Sequence, residues 1–162
     1  MIYVLTGNGK GKTTSAIGMG IRAAGAGKKV LMVQFLKDGA SSEVKVIEKI
    51  ENFELKSFGR PGFGPYSKRD YELVKGGFLF AKKSKKYNLL ILDEINVVLG
   101  FKLLGVREII AFLNDYGKKL DVVLTGRYCP KEIIKIADLV TEFKEVKHYF
   151  KKKVKARRGF EY

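Results

Sequence analysis

Apolar runs recur along the chain at residues 2–5, 30–36, 53–58, 89–92, 122–125 and 139–143. Each is short, and each is bounded by polar residues, glycine or proline, as strands are. Between them the apolar positions recur at helical spacing. From Lys12 a helix runs through Ala16, Met19, Gly20, Ala23 and Ala24. Ser67 with Asp70 forms a capping start for a second, carrying Tyr71, Val74, Phe78 and Ala81. Val106, Ile109, Ile110 and Leu113 make a third apolar face that ends near Gly117, and Pro130 suits the first turn of a fourth with Ile133, Ile134 and Ala137. Strand alternating with helix predicts an α/β fold, a mostly parallel sheet covered on both faces. Ligands of such sheets bind at the C-terminal strand ends.

Three stretches place chemistry at those ends. In "YVLTGNGKGKTTSAIG" the first strand runs into Gly7, Asn8, Gly9, Lys10 and Gly11, followed by Lys12, Thr13 and Thr14. Small residues let backbone N–H groups converge on phosphate oxygens, a lysine reaches further oxygens, and a threonine hydroxyl suits Mg²⁺. The usual loop opens with glycine; here Thr6 holds that place. "LLILDEIN" delivers Asp93 and Glu94, a carboxylate for Mg²⁺ with a second acid beside it, or alternatively a helix cap. "VVLTGRYCP" ends in Thr125, Gly126 and Arg127.

Composition narrows the classes. With 162 residues, 46% of them hydrophobic, the chain suits a single domain spanning residues 1–162, and no linker or repeat divides it. No apolar run is long enough to span a bilayer and the start has no signal-peptide pattern, so a cytoplasmic protein without a membrane partner is expected. One cysteine, Cys129, excludes an intramolecular disulfide framework and argues against a cysteine-ligated cluster or a self-contained dithiol redox site, so any electrons come from elsewhere. The net charge of +15 attracts anions of every kind. Lysine-rich faces such as "AKKSKKY" account for much of it, and the single glutamine among many lysines fits a heat-adapted source. The lone histidine, His148, and Cys129 read as structural.

The loop stretch extended to "VLMVQFLK", with "LDEIN", "VVLTGRYCPKEIIKIADLVTEFKEVKHYF" and "VKARRGFEY", resembles the P-loop type of ATP:corrinoid adenosyltransferase, from residue 3 to the C-terminus. The modified loop with Thr6 is then expected. The resemblance implies a RecA-like six-stranded sheet of order 3-2-4-5-1-6, with the Arg127 strand between those of the loop and Asp93. It implies transfer of the 5′-deoxyadenosyl group of ATP to the Co(I) of a corrinoid, with ATP reversed in the loop and the whole triphosphate released. Lys12 and Arg127 would be catalytic, residues 7–14 would bind ATP, and Thr13, Asp93 and Glu94 would hold Mg²⁺. Phe63 and Tyr66, in the Gly/Pro-rich turn "GRPGFGPYS", either meet the corrin or plug the core. A reduced flavoprotein as electron donor and a homodimer are further expectations, as is a covering segment before the first strand that is missing or replaced. The alternative of a RecA-like ATPase on nucleic acid draws on the charge, but the chain offers no stacking platform with basic tracking residues, and no nucleic-acid partner is expected.

Overall fold

The computed structural model describes residues 1–62, 65–149 and 156–160. Its centre is one sheet of six strands: β1 (Ile2–Thr6), β2 (Val30–Phe35), β3 (Phe53–Phe58), β4 (Leu89–Asp93), β5 (Asp121–Thr125) and β6 (Leu139–Glu142). Their order is β3-β2-β4-β5-β1-β6 and every neighbouring pair is parallel, as the resemblance implied. Parallel neighbours need crossovers. Helices supply them: α1 (Lys12–Gly25), α2 (Ser42–Ile47), α3 (Lys68–Ala81), α4 (Ile95–Gly100), α5 (Val106–Tyr116) and α6 (Lys131–Ile136).

Alternation along the strands divides the core in two. Leu31, Val33, Phe35, Leu90, Leu92, Val122 and Leu124 face α3, α4 and α5 through Val74, Phe78, Val98, Ile109 and Leu113. The intervening Val30, Met32, Leu89, Ile91 and Val123 face Ala16 and Ala24 of α1 and Ile47 of α2. Both faces being covered, the central strands read as unbroken apolar runs.

The structure departs from the sequence reading in detail. β1 and β4 each run one residue further, while β2 stops at Phe35 because Leu36 is left-handed, with φ 58°. Pro130 is the N-cap of α6 and not part of its first turn. Tyr71 and Ile134, assigned to apolar faces, are exposed. Helix α2 was not foreseen, and α4 entered only through the helix-cap alternative for Asp93 and Glu94; "INVVLG" is apolar almost throughout, so no amphipathic period marks it. Among the described residues no helix is long and apolar enough to cross a membrane.

Candidate active site

The phosphate loop is the turn from β1 into α1. Gly7 has φ 96°, and a Cβ there would lie 2.5 Å from the carbonyl oxygen of Phe143, so only glycine fits. Gly9 donates its N–H to that same oxygen at 2.7 Å. The chain leaving β6 therefore braces the loop from outside, and this N–H is turned away from the cradle. Helix α1 starts after Gly11 with no side chain capping its first turn, so its N–H groups and dipole are available to an anion. Lys12 folds back over the loop, its Nζ donating to Gly9 O at 2.7 Å. Burial lowers the Lys12 pKa; Glu94 opposes that shift and Arg127 adds to it. Asn8, Lys10 and Thr14 are exposed at the mouth, where Lys10 Nζ reaches the Tyr149 hydroxyl at 3.3 Å.

Asp93, fully buried at the end of β4, joins the loop to the sheet. Its Oδ1 accepts from Thr13 Oγ1 at 2.9 Å and from Thr125 Oγ1 at 2.6 Å. Its Oδ2 accepts from Lys37 Nζ at 2.7 Å and from Gln34 Nε2 at 3.3 Å. Ser57 Oγ in turn donates to Gln34 Oε1 at 2.9 Å, which links β3 and β2 to the same hub. A buried carboxylate survives only when so satisfied. Lys37 and Gln34 escaped the sequence reading, although two signals were visible: a glutamine inside an apolar strand, and a lysine just past its end. Burial by itself would lower the Lys37 pKa, but Asp93 more than offsets this and the net shift is upward.

Glu94 follows in a left-handed conformation, φ 62°, with its N–H donating to Thr125 Oγ1 at 3.0 Å. It occupies the N-cap position of α4, yet its carboxylate caps nothing, so capping does not account for the acidic pair. The carboxylate lies against Gly126, half-buried. Burial first, and then the Asp93 charge, raise its pKa against the pull of Lys37, Lys12 and Arg127. Leu36, Glu94 and Tyr128, all with φ near 60°, stand just beyond β2, β4 and β5. Left-handed backbone at bulky residues is strained, and strain of this kind gathers at functional sites.

Arg127 is exposed beyond β5, close enough to Lys12 and Glu94 to influence both. Next to it stands a row of rings not foreseen as a group. Tyr66 meets Phe101 edge-on, with centroids 5.1 Å apart, and Phe101 meets Tyr128 at 5.8 Å. Phe101 and Tyr128 are 50% and 57% exposed, so the row presents an aromatic face to solvent. Phe63 lies outside the described residues. The turn that carries Tyr66 is held by Arg60, which donates to Asp70 Oδ1 at 2.9 Å and to Pro65 O at 3.1 Å. Cys129 is part-buried, its thiol pushed up to about 12 by burial, and His148 lies against Tyr149 with the rings tilted by 43° and centroids 4.5 Å apart.

The oxygen donors gathered here are two hydroxyls, Thr13 and Thr125, and two carboxylates, Asp93 and Glu94, Thr125 being engaged by Asp93 and the Glu94 N–H. Among the described residues no cluster of three His, Cys, Asp or Glu side chains forms a metal cage. Few protein ligands beside a phosphate cradle suit Mg²⁺, which keeps its waters and shares phosphate oxygens.

The sequence model described as "ATP:corrinoid adenosyltransferase BtuR/CobO/CobP" matches residues 1–162. The chain is 34% identical over 168 residues to the corrinoid adenosyltransferase of Escherichia coli, covering 100% of this chain and 85% of that one. It is also 34% identical to the corrinoid adenosyltransferase CobA of Salmonella typhimurium, with the same coverage. Solved structures add the fold. The flagellar accessory protein FlaH of Methanocaldococcus jannaschii superposes with TM-score 0.55 at 14% identity, over 87% of this chain and 69% of that one. The genome packaging NTPase B204 of Sulfolobus turreted icosahedral virus 2, solved with AMP, gives TM-score 0.55 at 20% identity, over 87% of this chain and 73% of its own.

Proposed function

The chain belongs to the ATP:corrinoid adenosyltransferase family, and from that premise we propose how its residues divide the transfer of a 5′-deoxyadenosyl group from ATP to a reduced corrinoid. The observation that carries the reading is the convergence of Lys12, Thr13, Asp93 and Glu94 on the phosphate loop, with exposed aromatic rings alongside. In the transfer the Co(I) electron pair forms a bond to the ribose C5′, the C5′–O bond breaks, and its electron pair leaves on the triphosphate. No proton moves, so no general base is needed.

The task of the protein is to stabilise charge appearing on the departing oxygen. Loop residues 7–14 and the N-terminus of α1 hold the triphosphate. Lys12 exchanges its Gly9 carbonyl for phosphate oxygens, and Arg127 adds a second positive group from β5. Mg²⁺, held by Thr13 with Asp93 or Glu94, would supply further charge compensation on the leaving triphosphate. Tyr66 and Phe63 belong to the corrin side, and Phe101 with Tyr128 extends the aromatic face that a flat ring can cover. The partners that complete the reading are a reduced flavoprotein, which supplies the electron for Co(I), and a second copy of the chain. The reading also has the chain acting as a single cytoplasmic domain. The nucleic-acid alternative gains no support from the relatives or from the site.

Incubation with ATP, Mg²⁺ and chemically reduced corrinoid tests the reading. Inorganic triphosphate should appear in step with the Co–C bond. ADP and phosphate without adenosylated corrinoid would overturn it.

A further inference from the structure

The hydroxyl and carboxylate that suit a divalent cation already share a cation of the protein's own. Thr13 Oγ1 donates to Asp93 Oδ1 at 2.9 Å, which leaves its lone pairs to accept, and Lys37 Nζ points at them from 3.4 Å. The same nitrogen lies 2.7 Å from Asp93 Oδ2. One ammonium thus bridges the two protein oxygens on which a metal would draw. We infer that Lys37 is an internal counter-cation of the divalent site: it occupies the Thr13–Asp93 position and yields it only when a metal enters together with a triphosphate. This rests on the metal reading proposed above, with Asp93 as the carboxylate that joins Thr13.

The exchange follows from charge and anchoring. Asp93 is fully buried, and leaving it without a cation would be costly, so a resident ammonium keeps the site folded. A metal arriving alone must expel that ammonium and gains only the same carboxylate in return. A metal arriving with a triphosphate brings anionic oxygens that compensate both cations. The Lys37 backbone packs closely on Gly59, where a Cβ would lie 2.2 Å from Lys37 N. Leu36 N–H is tied to Phe58 O at 3.0 Å beside it. With the backbone so held, the side chain is the freer part, and at 24% exposure it has a way out to the mouth. Glu94, at that mouth, and Glu43 of α2 also attract it. Lys37 is therefore a positioning residue, one that makes metal binding conditional on the nucleotide.

Binding of Mn²⁺, followed by its electron paramagnetic resonance signal without nucleotide, tests this. Lys37→Met should bind Mn²⁺ at least tenfold more tightly than the parent, and Lys37→Arg, which keeps a cation, should show no gain. Mg²⁺ alone should raise the melting temperature of Lys37→Met above its value in chelator, while leaving the parent unchanged. Should Lys37→Met fail to fold, Lys37→Gln carries the same expectations. Equal nucleotide-free affinity in parent and neutral variants, with MnATP bound normally by all, would overturn the role of Lys37 alone. If the parent bound MnATP no better than a Thr13→Ala, Asp93→Ala double variant, the metal reading itself would fall, and the inference with it.

Discussion

Glu94 shows at the scale of one residue what the site costs the fold. Its pKa is raised, so between the ordinary glutamate value and the higher folded one the native state holds more proton than the unfolded chain. Stability then falls as pH rises through that window and stays lower above it. The left-handed backbone adds strain of about 1–3 kcal/mol. Glu94→Gln should therefore melt higher than the parent at pH 7 and lose that alkaline-going decline, while adenosyl transfer falls. Thermal melts from pH 4 to pH 8 check the first part. A variant less stable at neutral pH would mean that Lys12, Lys37 and Arg127 outweigh desolvation. Stability gained with activity lost is the usual signature of a residue kept for function.

At the scale of the element, α3 is the clearest case of sequence chemistry acting locally. Ser67 and Asp70 form the capping box expected from their spacing: Asp70 Oδ2 accepts from Ser67 N at 2.7 Å and from Ser67 Oγ at 2.8 Å. Asp70 also accepts from Arg60, so one carboxylate starts the helix and anchors the turn that bears Tyr66. The Arg60 hydrogen bond, then the Ser67 backbone, bring its pKa down to about 2. A lowered folded pKa stabilises above the unfolded value and is lost as pH falls from about 4 towards 2. Ser67→Ala should lower stability by about 1 kcal/mol, the usual loss of an N-cap. Asp70→Asn should flatten the acid limb of the stability profile between those pH values. An unchanged limb, measured by denaturant unfolding, would remove Asp70 from the account.

For the whole molecule, the sheet order brings together residues from four strands that are far apart in sequence. β5 lies between β1 and β4, so Asp93, Thr125 and the loop meet at one end, and the end of β2, on the far side of β4, adds Lys37. The ends of α4 and β5 set Phe101 against Tyr128, and the turn before α3 adds Tyr66. If this row receives the corrin, Phe101→Ala should raise the KM for corrinoid about fivefold, the worth of about 1 kcal/mol of aromatic contact. The KM for ATP should hardly change. Steady-state kinetics varying each substrate separate the two, and equal shifts would make Phe101 a packing residue.

The sequence by itself determined the strands, four of the six α-helices among the described residues and the identity of the phosphate loop, because these rest on local periodicity and on backbone requirements within a few residues. The acidic pair at the end of β4 was legible for the same reason. It could not reveal that Lys37 and Gln34 converge on Asp93, that Phe143 braces Gly7 and Gly9, or that Tyr66, Phe101 and Tyr128 form one surface. Those relations join residues separated by tens of positions, and only the order and register of parallel strands decide which of them meet. Apolar α4 stayed hidden too, since a short helix buried beside the sheet shows no amphipathic period of its own.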